Sequence, residues 1–198
     1  EMPLELRSQE SWLQHNLRLT GFSSLSAPAT EADDLIASYT RKAVATGHNV
    51  VIATNDKDIL QLTNEHVAIY STAKVDAGRD AFALLGPREI KEKWGVEPSQ
   101  IGEILALTGD STDNIPGVPG IGGKTAAQLI HTHGTVENLL RELATVVPEK
   151  LRDRIANAKD LIQANRRMVA LDDELPLPKA LEDLGIVPQY DPLIVALQ

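Results

Sequence analysis

Seven carboxylates fall into three short runs: Glu31-Ala32-Asp33-Asp34, Asp56-Lys57-Asp58 and Gly109-Asp110-Ser111-Thr112-Asp113-Asn114. Directly after the third comes Ile115-Pro116-Gly117-Val118-Pro119-Gly120-Ile121-Gly122-Gly123-Lys124-Thr125. Carboxylates repel one another, so gathering them in one place calls for a compensating cation. Two hard divalent ions held by carboxylates about 4 Å apart are a recurring device for cutting phosphodiesters. Glycines that open a helix present backbone N–H groups able to hold a phosphate. The combination predicts metal-dependent hydrolysis of a nucleic acid, with a duplex grip built into the same chain.

Each run also has a plain structural reading. Thr30-Glu31-Ala32-Asp33 has the form of a capping box, and acids belong in a first helical turn. Asp34 is one acid more than capping needs, and Glu31 and Asp34 share a helix face at i, i+3. Asn55-Asp56-Lys57-Asp58 follows an apolar run, where Asn and Asp serve turns. The carboxyl ends of strands are equally where open α/β sheets bind ligands. Gly109–Asn114 follows the apolar helix Ile101–Leu107 and reads as a polar loop in which Asp110 and Asp113, three apart, could share one cation. The glycine stretch is not a P-loop: five residues before Gly123 stands Val118, and no buried strand leads in. As a hairpin between helices it offers Gly117, Gly120, Gly122, Gly123, Lys124 and Thr125 to a DNA backbone without reading bases. A bare helix connector is the alternative. Lys150, Arg152, Arg154, Lys159, Arg166 and Arg167 read as the solvated face of one long helix that could extend a duplex surface. His131 and His133 read as helix-end residues, Trp12 and Trp94 as core.

The net charge of −9 argues against a nucleic-acid partner until its location is considered. Residues 1–113 hold ten basic and seventeen acidic side chains; setting aside the seven clustered carboxylates leaves ten against ten. The acidity of this half is the proposed site. The chain has no cysteine, which excludes disulfides and thiolate metal sites and suits the cytoplasm. No apolar run approaches the roughly 18 residues of a membrane span, so no membrane partner is expected.

These residues need elements to position them. The apolar pattern predicts an irregular helix over Leu4–Leu19, a short strand over Gly21–Ala27 and a helix over Ala32–Ala45. Beyond these it predicts a buried strand over Asn49–Thr54, a helical turn over Asp58–Leu62 and a strand over His66–Ser71. From Pro87 on it turns helical: Glu89–Trp94, Pro98–Thr108, Lys124–His131, Val136–Leu143 and one helix over Pro148–Ala170. The expectation is an α/β fold with a mostly parallel central sheet flanked by helices over residues 1–108. A helical lobe carrying a helix–hairpin–helix follows over 109–198. With 198 residues, one domain plus a lobe is the ceiling.

In this order the three acidic runs and the hairpin resemble the 5′-nuclease superfamily, which includes flap endonucleases, phage 5′ exonucleases and the 5′→3′ exonuclease domain of bacterial DNA polymerase I. The polymerase type is the nearest form, and the likeness spans nearly the whole chain. The resemblance implies a PIN-like core and a 5′→3′ exonuclease or 5′-flap endonuclease activity in DNA replication and repair. It implies two Mg²⁺ or Mn²⁺ ions: Glu31, Asp33 and Asp34 as ligands of the first, and Asp56, Asp58, Asp110 and Asp113 as the second set. It implies a hairpin that grips duplex DNA and holds K⁺, a DNA partner with a 5′ end or flap, and a fused or separate DNA polymerase. A monomer in the bacterial cytoplasm, associated with the nucleoid, is expected. The family's first strand aspartate and its basic arch precede the segment resembling Glu1–Gly21, so the chain resembles the C-terminal two-thirds of such a domain. Its end, Pro192–Gln198, looks cut within a helix. Weak or absent cleavage by these residues alone is therefore expected, and a non-catalytic DNA-binding fragment is the alternative. A haloacid-dehalogenase-type phosphatase is the other, because Asp56-Lys57-Asp58 imitates its acidic motif.

Overall fold

The computed structural model describes residues 4–71 and 83–196. The expectations that touch Glu1 and Gln198 lie outside the described residues. Helix α1 runs Leu4–Leu19 and α2 runs Ala32–Ala45. Trp12, expected in the core, is 53% exposed, as are its neighbours Leu13 and Leu17 to similar degrees. The inward position of this helix belongs instead to Asn16, whose Nδ2 donates to the Trp12 carbonyl at 2.8 Å. The strand expected over Gly21–Ala27 is irregular chain. Phe22 and Leu25 stand three apart among serines, which is not a strand's two-residue alternation; Phe22 is exposed and, among the described residues, no ladder partner lies alongside. The cap of α2 also falls one residue later than Thr30. The first helical hydrogen bond of α2 goes from Leu35 N to the Glu31 carbonyl, so Glu31 is the cap position, while Thr30 donates to Pro28.

Strand β1 (Val50–Ala53) pairs parallel with β2 (Val67–Ser71), and β2 pairs antiparallel with β3 (Ala83–Leu85). The third strand was not foreseen. Among the described residues the sheet is covered on one face only. Val67, Ile69 and Ile52 are buried, while Val51 and Leu84 are each 61% exposed and Tyr70 is partly exposed. The fully buried pattern read from Val-Val-Ile-Ala is therefore corrected: a short apolar run does not reveal how many of its faces are covered.

Past the sheet the chain is helical: α3 (Pro87–Trp94), α4 (Ile101–Thr108), a two-residue ladder of β4 (Gly109–Asp110) with β5 (Ile115–Pro116), then α5 (Gly123–His133) and α6 (Val136–Arg141). A helix apolar on every side has to be surrounded, and residues 101–107 of α4 are all buried. The single long helix expected over Pro148–Ala170 is two, α7 (Glu149–Asn157) and α8 (Lys159–Met168), hinged at Ala158. Neither Gly nor Pro marks that break, and Ile155 before it and Ile162 after it are both fully buried. The last described element is α9 (Tyr190–Ala196).

Two compact units result. One is Ala43–Asp172, holding the sheet and α3 to α8; the other joins Glu1–Lys42 to Asp173–Gln198. The expected boundary at 108/109 falls inside the first of these, because β4 continues directly from α4 and β5 pairs back onto it.

Candidate functional site

The Asp56-Lys57-Asp58 run is held at the carboxyl end of β1. Thr54 extends the ladder by donating to the Tyr70 carbonyl at 3.1 Å, and its hydroxyl accepts from Asp56 N at 3.0 Å. Asp56 Oδ1 then accepts from Asp58 N at 3.1 Å, an Asx turn that starts the 3-10 helix Asp58–Leu62. Ile59 and Leu60 of that helix are buried and pin it. The plain turn reading of these aspartates is thus true, and it fixes where their remaining oxygens point.

The second acidic loop hangs on the β4–β5 ladder. Gly109 sits at φ 71°, and a Cβ there would fall 2.3 Å from the Ile115 carbonyl oxygen, so only glycine lets the strands close. Asn114 at φ 57° turns the chain back. Asp110 is buried; its Oδ1 accepts from Thr112 N at 2.8 Å, and Lys57 Nζ reaches both its oxygens at 2.8 and 2.7 Å. Burial pushes the Asp110 carboxyl up, but the Lys57 ammonium and the Thr112 N–H outweigh it and hold the group below the ordinary carboxylate range.

Asp113, at the exposed crest of the loop, meets the other run. One oxygen each from Asp56, Asp58 and Asp113 lie within 4.8 Å of one another. A Mg²⁺–oxygen distance of about 2.1 Å puts ligands roughly 3 to 4 Å apart, so small side-chain rotations close these three on one ion. The donor set, carboxylates only, suits a hard divalent cation. Asp110 is engaged by Lys57 instead of joining this trio. Glu31, Asp33 and Asp34 open α2 in the other unit, Glu31 exposed and the two aspartates half-buried.

In the hairpin, Gly120 sits at φ 80° and its carbonyl accepts from Arg154 of α7 at 3.3 Å. Gly122 is the cap residue of α5, and Gly122, Gly123 and Lys124 are exposed. A Cβ on Gly122 or Gly123 would meet no atom within 4 Å, so nothing inside the chain requires glycine there. Gly117 differs: its Cβ would fall 2.0 Å from the Thr108 carbonyl oxygen.

Two family models divide the chain between them. One, described as 5′-3′ exonuclease, N-terminal resolvase-like domain, matches residues 1–95; the other, 5′-3′ exonuclease, C-terminal SAM fold, matches residues 96–191. The chain belongs to the 5′-3′ exonuclease family. It is 36% identical over 193 residues to DNA polymerase I of Rhizobium leguminosarum, an alignment covering 98% of this chain and 18% of the relative. DNA polymerase I of Bacillus caldotenax is 32% identical over all of this chain and 22% of its own length. The chain thus spans about one fifth of such relatives. Among solved structures, a flap endonuclease of bacteriophage T5 in complex with DNA and metal ions superposes with a TM-score of 0.72. Identity there is 21%, over 100% of this chain and 74% of that one. The fold class is accordingly α/β, with a resolvase-like half and a SAM-like half, and the phosphatase alternative has no support left. No helix among the described residues is long and apolar enough to cross a membrane.

Four side chains of this 5′-3′ exonuclease chain went unremarked or misplaced in the sequence. Lys57 carries no signal in the sequence beyond its place between two acids. Arg154 and Arg166 read as a basic face, yet Arg154 braces the hairpin and Arg166 donates to buried Glu103 at 2.9 Å, which also accepts from Val136 N. Asn165, 1% exposed, gives one N–H to the Ala106 carbonyl (3.1 Å) and the other to Pro116 (2.8 Å). It ties α8 to both ends of the acidic loop. Asn165→Ala leaves the buried Ala106 carbonyl and the partly buried Pro116 carbonyl without this donor, and an expected loss of about 2 kcal/mol in urea unfolding follows. A loss under about 0.5 kcal/mol would mean water replaces the amide.

Proposed function

We propose that these residues form most of a divalent-metal-dependent 5′→3′ DNA exonuclease and 5′-flap endonuclease acting in replication and repair. One observation carries the reading: three carboxylates from two separate loops converge within 4.8 Å in a chain of this family. Asp56, Asp58 and Asp113 hold one Mg²⁺ or Mn²⁺, with Asp110 beside them, and Glu31, Asp33 and Asp34 serve a second ion. When bound, such ions generate hydroxide and take up charge on the scissile phosphate. The carboxylates position ions and do not attack. Lys57 keeps the buried Asp110 charge compensated, and the two loops hold the acids in register through the Asx turn and the β4–β5 ladder.

Gly117, Gly120, Gly122, Gly123, Lys124 and Thr125 take the phosphate backbone of a duplex, with K⁺ as a further occupant of the hairpin. The substrate is DNA with a duplex and a 5′ end or flap, and a fused or separate DNA polymerase is the partner. We place the protein, as a monomer, in the bacterial cytoplasm at the nucleoid.

The hairpin gives the test of the DNA reading. Gly122→Leu should leave folding intact, because no atom opposes it, while lowering duplex affinity several-fold and equally for unrelated base sequences. Wild-type affinity should fall steeply with salt. A folded variant with unchanged affinity makes the hairpin a helix connector only. Mg²⁺-dependent cutting of a 5′-flap duplex tests the enzyme reading. Duplex binding without cutting, by a longer chain containing these residues, favours the non-catalytic alternative.

A further inference from the structure

Lys57 stands between two of the three converging carboxylates in sequence, yet its own partner is the fourth acid. Its ammonium lies 2.8 Å from Asp110 Oδ1 and 2.7 Å from Oδ2. A carboxylate accepts at about four positions, and with Thr112 N also on Oδ1, three of those on Asp110 are taken. The Lys57 side chain is 42% exposed and that of Asp110 is 2% exposed. The two partners are therefore unequal: Lys57 can withdraw into water, whereas Asp110 cannot and must find another cation.

We infer that Lys57 is the resident counter-cation of this site: it occupies Asp110 and thereby competes with the divalent ion bound by Asp56, Asp58 and Asp113, setting that ion's affinity. The inference rests on the metal reading given above. With Lys57 in place the four acids carry three uncompensated charges; with Lys57 withdrawn they carry four, and Asp110 gains the lone pairs to join the ion. Affinity for the ion is held down by the work of displacing the ammonium. The same displacement frees a positive side chain at the rim, where a phosphate oxygen would be met.

Mn²⁺ binding, followed by electron paramagnetic resonance of the free ion and by calorimetry, tests this without any turnover. Lys57→Met is expected to tighten binding at least about tenfold, since the positive charge that occupies Asp110 is removed. Lys57→Arg keeps the charge and should bind Mn²⁺ like the wild type. Lys57→Met combined with Asp110→Asn should lose the gain, because the carboxylate that was released is gone. Should Lys57→Met fail to fold with Asp110 unpaired, Lys57→Gln retains an N–H donor without charge and must show the same tightening. Folded Lys57→Met and Lys57→Gln variants that bind Mn²⁺ as the wild type does, or more weakly, overturn the inference and leave the metal reading standing. Absence of Mn²⁺ binding by wild type and variants alike overturns both.

Discussion

Asp113→Asn should lower Mn²⁺ affinity by about 100-fold, the scale expected when a hard cation loses one of three charged oxygens. The variant is informative because Asp113 lies exposed at the crest of its loop, so the fold does not depend on it. Removing one of three carboxylates that crowd within 4.8 Å also relieves repulsion. The metal-free variant should therefore melt at the wild-type temperature or slightly above it. Opposite movements of metal affinity and apo stability are the signature of a binding site held against its own charge. Calorimetry with Mn²⁺ and melting in chelator measure the two separately. Unchanged affinity would remove Asp113 from the ligand set and leave the Lys57–Asp110 pair as the link between the two loops.

Gly117→Ala should cost about 3–5 kcal/mol or prevent folding, as overpacking against backbone does when no rotamer can relieve it. The added Cβ would sit 2.0 Å from the Thr108 oxygen and 2.4 Å from its carbon, atoms that cannot rotate away. Gly122→Ala, five residues on and facing open space, should stay within about 0.5 kcal/mol. Urea unfolding of the pair separates the two kinds of glycine in one motif. A Gly117→Ala midpoint equal to the wild type would mean that the β4–β5 junction is looser than its geometry implies. The acidic loop and the hairpin share this junction, so a fold that survived Gly117→Ala in part should lose metal and duplex binding together.

Much of the chemistry could be read before the fold because the acids stand at the ends of apolar elements. The run Val-Val-Ile-Ala announces a strand, and Asp56 and Asp58 come directly after it. Glycines that face solvent and glycines that face backbone look alike in sequence, so Gly117 and Gly122 could not be told apart. Partners distant along the chain were equally hidden. Lys57 meets Asp110 53 residues away, and Asn165 meets Ala106 and Pro116 59 and 49 residues away. The basic stretch Lys150–Arg167 follows the pattern of a solvated face. Two of its members are nevertheless spoken for by partners far along the chain, Arg154 by the Gly120 carbonyl and Arg166 by buried Glu103. The supposed strand at Gly21–Ala27 failed for the converse reason. A short run of apolar residues and serines is a local feature, whereas a strand exists only where a neighbour pairs with it.

The unit that carries Glu31, Asp33 and Asp34 is sewn from both ends of the described chain. Tyr39 donates to the Lys179 carbonyl, Ser38 accepts from Leu175 N, Arg41 pairs with Asp173 and Glu174, and Gln189 N reaches Leu19. Protein synthesis meets these partners in the wrong order. As the chain leaves a ribosome, residues 43–172 can pack as soon as they emerge, while the earlier α2 has to wait for a segment made more than 130 residues later. For that interval its acidic first turn is tethered to a finished neighbour without its own scaffold. A single protease cut or a stalled ribosome after residue 172 would leave one acidic set built and the other unsupported.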